Sequence, residues 1–383
     1  MRRALENVRG WMVAQRPSLV DYLIIVVGFV VLWIGVLKFS DQYYPDSAHY
    51  VAMSLVFGGM PRSEALQIVY DWHVSMGYEP NTSEAGLFDW GLVKPRVVLP
   101  LLGVPFTWAF GPSGLAVLTG LLTLVLLLTL YWLLRGMYGR LPALATVVLV
   151  LSSEYLFAFF TGILTESLSA LWGALALALA LRYQRERHWL PIAGLVAVTV
   201  LSGFTRQATL IVAGAFFVAW LFSLFGSGDR RRWLAPMVAV VTTTLAVQLL
   251  QSILFPFSQL DQFLEMTGTD SLGAALLETP RLALHILSGD FQKFIEEDPI
   301  IIVIIGLAVL SAVIFWRRSE SHLLLGAFLA IALYNVTNGN PTHFRYALPG
   351  FVFYAVAIAA LFAHIQSSLP LGRTRPEPIA ADG

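Results

Sequence analysis

The chain has 383 residues, 57% of them hydrophobic and only 13% charged, whereas soluble domains carry about 25% charged residues. That deficit leaves too little polar surface to wrap a water-soluble globule, and the lack of cysteine removes disulfides, thiolate nucleophiles and thiolate metal sites. Net charge is zero, with 24 Lys and Arg against 24 Asp and Glu, so the total singles out no partner, and no nucleic acid is expected as one.

A membrane span needs about 20 mostly apolar residues. Residues 1–19 precede the first such run and read as a cytoplasmic N-terminus, weakly amphipathic from Arg2 to Val13. Residues 20–38 form the first span. No small-x-small cleavage site follows them, so they do not read as a cleaved signal peptide. A long polar stretch, 39–112, comes next. Its last part, VVLPLLGVPFTWAF at 97–110, is apolar but short and interrupted by Pro100 and Pro105. It is expected to lie in, or dip into, the membrane interface. Further candidate spans follow at 113–134, 141–160, 163–181, 189–205, 207–225, 233–254, 299–316, 321–337 and 346–364, with a second long polar stretch at 255–298. The tail, 365–383, is expected to be disordered and cytoplasmic. The fold class that results is an all-α polytopic membrane protein of about ten transmembrane helices, with a large first outer loop of interfacial helices.

Lys and Arg set the orientation, because cytoplasmic loops carry an excess of them. With the N-terminus inside, the Arg-rich turns at 135–140, 182–188, 230–232 and 317–318 all face the cytoplasm, as do both termini. A full crossing by 97–110 would turn every one of them outward. Both long polar stretches then lie outside a plasma membrane. Both are acidic, the first with Asp41, Asp46, Glu64, Asp71, Glu79, Glu84 and Asp89, the second with Asp261, Glu265, Asp270, Glu278, Asp290, Glu296, Glu297 and Asp298.

An ionisable residue within a span is expensive, so its position is informative. On this topology the span centres hold none, and Glu154, Glu166, Arg206 and Arg345 fall near outer ends. Pro45 can start a helix, which sets Asp46, His49 and Tyr50 on one face. Asp46 then reads either as that helix's cap or as a functional acid. Lys94 and Arg96 flank Pro95; they read either as cations snorkelling at the interface or as a pair facing a phosphate. Glu166 reads as a carboxylate favoured by a helix N-terminus or as a site residue. Arg206 and Arg345 both break the inside bias of the cations, and His343 lies close to the second.

In this order and on this one face, five motifs resemble the GT-C glycosyltransferases, in particular the branch of protein O-mannosyltransferases and lipid A aminoarabinose transferases. They are the acidic stretch from Asp41 to Tyr50 directly after the first span, Lys94-Pro95 ahead of the apolar interfacial segment, Thr165-Glu166 at the outer start of a span, Thr205-Arg206 at the outer end of a later one, and Arg345-Tyr346-x-Leu348-Pro349 near the last. The resemblance covers residues 20–364. It departs from the branch where Asp46 is followed by Ser47 instead of Glu, which leaves Asp41 as the candidate second acid.

The resemblance implies transfer of a sugar from a polyprenyl-phosphate donor to an acceptor hydroxyl, with inversion, on the extracytoplasmic face. The acceptor would be a lipid, a glycan or a protein, and its selection would fall to the two outer loops. Asp46 is the implied base. Lys94, Arg206, Arg345 and, more weakly, Arg96 are implied to hold the leaving phosphate, and His49, Tyr50 and Glu166 to touch sugar or acceptor. No obligatory metal or other cofactor is implied. Two other readings stay open. One is an outer-face polysaccharide polymerase or ligase, whose key residues would sit in 255–298 with Arg281 and Lys293. The other is a carrier or flippase of lipid-linked sugars, which would bind near the bilayer midplane.

Overall fold

The structure, a computed structural model, describes residues 19–39, 43–77, 84–225, 231–255, 258–338 and 344–368. All regular structure among them is helical. The expected N-terminal helix lies outside these residues, as do Asp41, His343 and the tail from 369 on; residues 365–368, expected to begin the disordered tail, instead form the last turn of the final helix. The chain opens with α1 (Leu19–Phe39), then four shorter helices, α2 (Ser47–Phe57), α3 (Arg62–Ser75), α4 (Glu84–Phe88) and α5 (Val98–Phe110). A 3-10 turn, Gly111–Ser113, leads to α6 (Gly114–Tyr138), α7 (Arg140–Leu151), α8 (Glu154–Thr161), α9 (Glu166–Glu186), α10 (Trp189–Thr205), α11 (Thr209–Ser223) and α12 (Arg231–Leu254). The second polar stretch is α13 (Gln259–Thr267) and α14 (Leu272–Glu297), followed by α15 (Pro299–Ile314), α16 (Ser319–Asn338), a second 3-10 turn (Arg345–Gly350) and α17 (Phe351–Ser368).

Among the described residues, five helical runs are long and apolar enough to cross a bilayer by themselves: α1, α5 with α6, α12, α16, and the second 3-10 turn with α17. The bent pair of α7 and α8 makes a sixth if it counts as one span. That is fewer than the ten expected, for two reasons. The helices α10, α11 and α15 are only 17, 15 and 16 residues long. Helix α9 carries Glu166 at its start and Arg182, Arg185 and Glu186 at its end. The centre of the bundle is α17, whose run from Phe351 to Leu361 is entirely buried. An uninterrupted series of Ala, Val, Ile and aromatic residues lets it contact neighbours on all sides. By contrast α1 is peripheral, with Leu23, Val27, Val31 and Ile34 exposed, as a lipid-facing surface requires.

The segment at 97–110 forms α5, 13 residues and so about 20 Å long, against a hydrocarbon core of about 30 Å. It folds back on α6. A Cβ added to Gly114 would lie 2.1 Å from the Phe106 carbonyl oxygen, and one added to Gly103 would lie 2.4 Å from Leu115 Cδ2. In a straight helix those partners would be about 12 and 18 Å apart along the axis.

Residues 141–160, expected as one span, are two helices bent by 80°. The break follows from capping. Ser153 accepts the Leu156 amide at 3.2 Å, and Asp298 takes the Ser153 hydroxyl at 2.6 Å and the Tyr155 amide at 2.9 Å on its Oδ2. Its Oδ1 accepts the Ile300 amide at 3.1 Å. One buried carboxylate thus caps α8 and α15 together and ties the second polar stretch to the bend. Removing it with Asp298→Ala orphans these donors, which is expected to cost about 1.5–3 kcal/mol. Asp298→Asn, which keeps one acceptor, should lose less. Thermal unfolding of the two variants in lipid nanodiscs checks the order.

Helix directions sort the charges to two poles. At one, Asp21 of α1 is buried and accepts from Arg140 at 2.7–2.9 Å and from Tyr131 at 2.5 Å, and Tyr138 meets Glu320 at 3.2 Å. The opposite pole, reached by the start of α2, the start of α9, the end of α10 and the 3-10 turn before α17, holds the candidate site.

Candidate functional site

Five charged side chains from five segments meet at this pole. Asp46 stands at the N-terminus of α2, but its side chain does not cap the helix. Its Oδ2 instead accepts from Arg345 Nη2 at 2.6 Å and from Arg96 Nη1 at 3.4 Å. Glu166, in the first turn of α9, accepts on Oε1 from Arg206 Nη1 at 2.6 Å and also from Arg345 Nε. Arg345 therefore bridges the two carboxylates, and the pairs link Asp46, Arg96, Arg345, Glu166 and Arg206 in one chain of contacts. The capping reading of Asp46 fails, since its oxygen serves arginines; Glu166 keeps its place in the first turn of α9 while its Oε1 serves arginines as well.

The cluster is largely buried, with Arg345 at its rim, 16% of that side chain exposed. Glu166 is 0% exposed, Arg206 1%, Arg96 5% and Asp46 8%. Buried charges are tolerated only when paired, and here three guanidiniums face two carboxylates. Tyr50, fully buried one turn after Asp46, accepts from Arg96 Nη1 at 2.9 Å. Tyr346 lies under Arg206, whose guanidinium stands 4.7 Å from the ring centroid, a cation–π arrangement. Tyr334 of α16 packs on Tyr346 from the other side of the turn, with centroids 5.1 Å apart. Burial alone would raise the Asp46 pKa; the fields of Arg345, Arg96 and Arg206 outweigh it and hold the carboxyl down at about 2.

The pairing is incomplete on the cationic side. Arg206 Nε and Nη2 and Arg96 Nε are buried with no hydrogen-bond partner. Leaving such donors unmet costs about 1–3 kcal/mol each. An oxyanion with several acceptor oxygens would meet these donors and the odd positive charge together.

The 3-10 turn that carries Arg345 is aimed by Phe344. This residue adopts a left-handed conformation, φ 68°, which costs a non-glycine residue about 1–2 kcal/mol. Its buried ring packs against Phe294 of α14 and Tyr354 of α17, at 6.2 and 5.5 Å between centroids. Packing from two helices holds the strained residue, and the next side chain points into the cluster.

Not every expected residue arrives. Lys94, read as a phosphate ligand, is half-exposed on the turn before α5 and reaches back to Asp89 at 2.9 Å; the turn directs only its neighbour Arg96 inward. His49 is beside the cluster, not in it. It is half-buried, with Nδ1 2.7 Å from the Leu87 carbonyl oxygen and its ring 4.9 Å from that of Trp90. Arg281 of α14 is exposed and Lys293 half-exposed, and they pair locally, with Glu278 at 3.8 Å and with Glu297. Among the described residues no three His, Asp or Glu side chains gather as a metal site would require. Sequence reading missed Tyr346 as the partner of Arg206, although it adjoins Arg345 within the quoted motif. Comparison of the chain with protein-family models, curated proteins and solved structures finds no match.

Proposed function

We propose that the chain is a membrane glycosyltransferase of GT-C type, which moves a sugar from a polyprenyl-phosphate donor to an acceptor hydroxyl at the extracytoplasmic leaflet, with inversion. The observation that carries this reading is the buried cluster with more guanidiniums than carboxylates and with unmet N–H groups on Arg206 and Arg96. A polyprenyl phosphate leaves as a phosphate dianion, so the transition state gains negative charge on the leaving oxygen. Preorganised cations in a water-poor site stabilise such charge best. The acceptor is a lipid, glycan or protein, and the surrounding partner is membrane lipid.

The topology belongs to the same proposal. Ten segments cross, namely α1, α6, α7 with α8, α9, α10, α11, α12, α15, α16 and the final 3-10 turn with α17. Helices α2 to α5 and α13 with α14 lie outside, and the pole of Asp21, Arg140 and Glu320 is cytoplasmic. A polymerase or ligase centred on Arg281 and Lys293 gains nothing from the geometry, since both pair with carboxylates of their own helix and neither takes part in the cluster's ion pairs.

Farnesyl phosphate, a short-chain stand-in for the donor's lipid phosphate, tests the site directly. It is expected to bind the nanodisc-embedded protein, while farnesol does not. Arg206→Ala should weaken binding at least about tenfold, the value of one charged hydrogen bond, and Arg206→Lys should weaken it less. Equal binding by the wild type and Arg206→Ala removes the phosphate role of this residue.

A further inference from the structure

The proposed transfer needs a group that takes the acceptor's proton, and Asp46 is badly placed to be it. Its Oδ2 is shared by two guanidiniums, and it is 8% exposed. A proton taken on its other oxygen would neutralise the carboxyl and dissolve both ion pairs.

His49, one turn further along α2, has the opposite character. Its Nδ1 lies 2.7 Å from the Leu87 carbonyl oxygen. A carbonyl can only accept, so the proton is on Nδ1, and the neutral ring then presents a lone pair at Nε2. No partner falls on Nε2 among the described residues, and this nitrogen is not among the buried unpartnered atoms. The orientation is held twice over, by α4 through Leu87 and by the Trp90 ring. Trp90 is itself 39% exposed, a flat apolar face of the kind that carries one side of a sugar ring.

We infer that His49, not Asp46, is the general base of the proposed transfer, with Asp46 acting as a positioning residue for Arg345 and Arg96. This assignment rests on the glycosyltransferase reading above. The acceptor oxygen attacks the anomeric carbon as its proton passes to His49 Nε2. The bond from that carbon to the phosphate oxygen breaks, and the electron pair leaves with the polyprenyl phosphate, which becomes a dianion. The imidazolium then loses its proton to water.

The charged groups acting on His49 suit the cycle. Burial favours the neutral ring; the Leu87 carbonyl and Asp46 act the other way, and Arg96 adds to the effect of burial, so the balance lies below the usual histidine range. The ring is thus ready as a base at neutral pH, and the Asp46 carboxylate, one turn away, steadies the cation once formed. Asp89 and Lys94, on the neighbouring turn, neutralise each other at the surface.

The test uses the full chain in nanodiscs with decaprenyl-phosphate-linked mannose, glucose, galactose, arabinose and aminoarabinose, reading release of decaprenyl phosphate against pH. His49→Gln is expected to lower kcat by about 10²–10⁴-fold and to abolish the acid limb of the wild-type profile, with farnesyl phosphate affinity unchanged. Asp46→Asn should keep an acid limb. Histidine-labelled protein should show the His49 ring neutral and protonated on Nδ1 at pH 7, a readout independent of turnover. Transfer by His49→Gln within about threefold of wild type, or a ring protonated on Nε2, overturns the assignment and leaves the transferase reading intact. Failure of the wild type both to transfer any sugar and to bind farnesyl phosphate overturns that reading and takes the assignment with it.

Discussion

Replacing Arg345 with alanine is expected to cost about 3–5 kcal/mol of stability, the usual penalty for removing one partner of a buried ion pair, and to abolish binding of farnesyl phosphate. This arginine is the only described side chain that touches both Asp46 and Glu166. Without it Glu166 keeps Arg206, and Asp46 keeps only the longer 3.4 Å contact to Arg96. Two carboxylates then face two cations, so the excess positive charge is gone. Arg345→Lys restores the charge but not the fork: Nε and Nη2 reach different carboxylates, and a single ammonium cannot reproduce that geometry. The lysine variant should therefore regain much of the stability but little of the binding. Thermal unfolding and farnesyl phosphate titration, run on the same nanodisc preparations, separate the two effects. Full affinity in Arg345→Ala would show that the cluster is only a structural lock.

The second large effect lies away from the charges. In Gly326→Leu the helices α11 and α16 can no longer pack, and little folded protein is expected. A Cβ on Gly326 would lie 2.3 Å from the Gly214 carbonyl oxygen and 2.7 Å from Ala215 Cα. These are backbone atoms, so no rotamer change relieves the clash. Small residues at such crossings let membrane helices approach closely, and packing is what drives their association. Even Gly326→Ala should cost about 1–3 kcal/mol, as overpacking does. Gly306→Ala in α15 is the control: nothing lies within 4 Å of its added Cβ, and replacing a mid-helix glycine should stabilise by roughly 0.5–1 kcal/mol. The crossing also bears on the site. Helix α11 begins three residues after Arg206, and α16 carries Tyr334 against Tyr346. A wedge at Gly326 should therefore weaken anion binding in whatever protein does fold.

The amino-acid sequence by itself determined the class of molecule. The charge deficit and the long apolar runs dictate helices in lipid, because only helices satisfy every backbone group there without water. It also determined that charges would gather at helix ends, since an ionisable group within a span is too costly. The prolines at 100 and 105 and the shortness of the apolar run were enough to mark 97–110 as a segment apart. Where prediction stopped was the partner of each charge. Asp46 stood between a helix cap and a functional acid, and Glu166 between a dipole carboxylate and a site residue, because neighbours along the chain could not decide. Their real partners, Arg345 and Arg206, are 299 and 40 residues away. Lys94 and Arg96 are chemically alike and two residues apart; only the course of the turn before α5 sends one to solvent and the other into the cluster. The bend between α7 and α8 likewise depends on Asp298, which lies 145 residues from Ser153 along the chain. Pairing in a low-dielectric interior is a matter of a few ångströms in three dimensions, and linear spacing carries that information only within a helix turn.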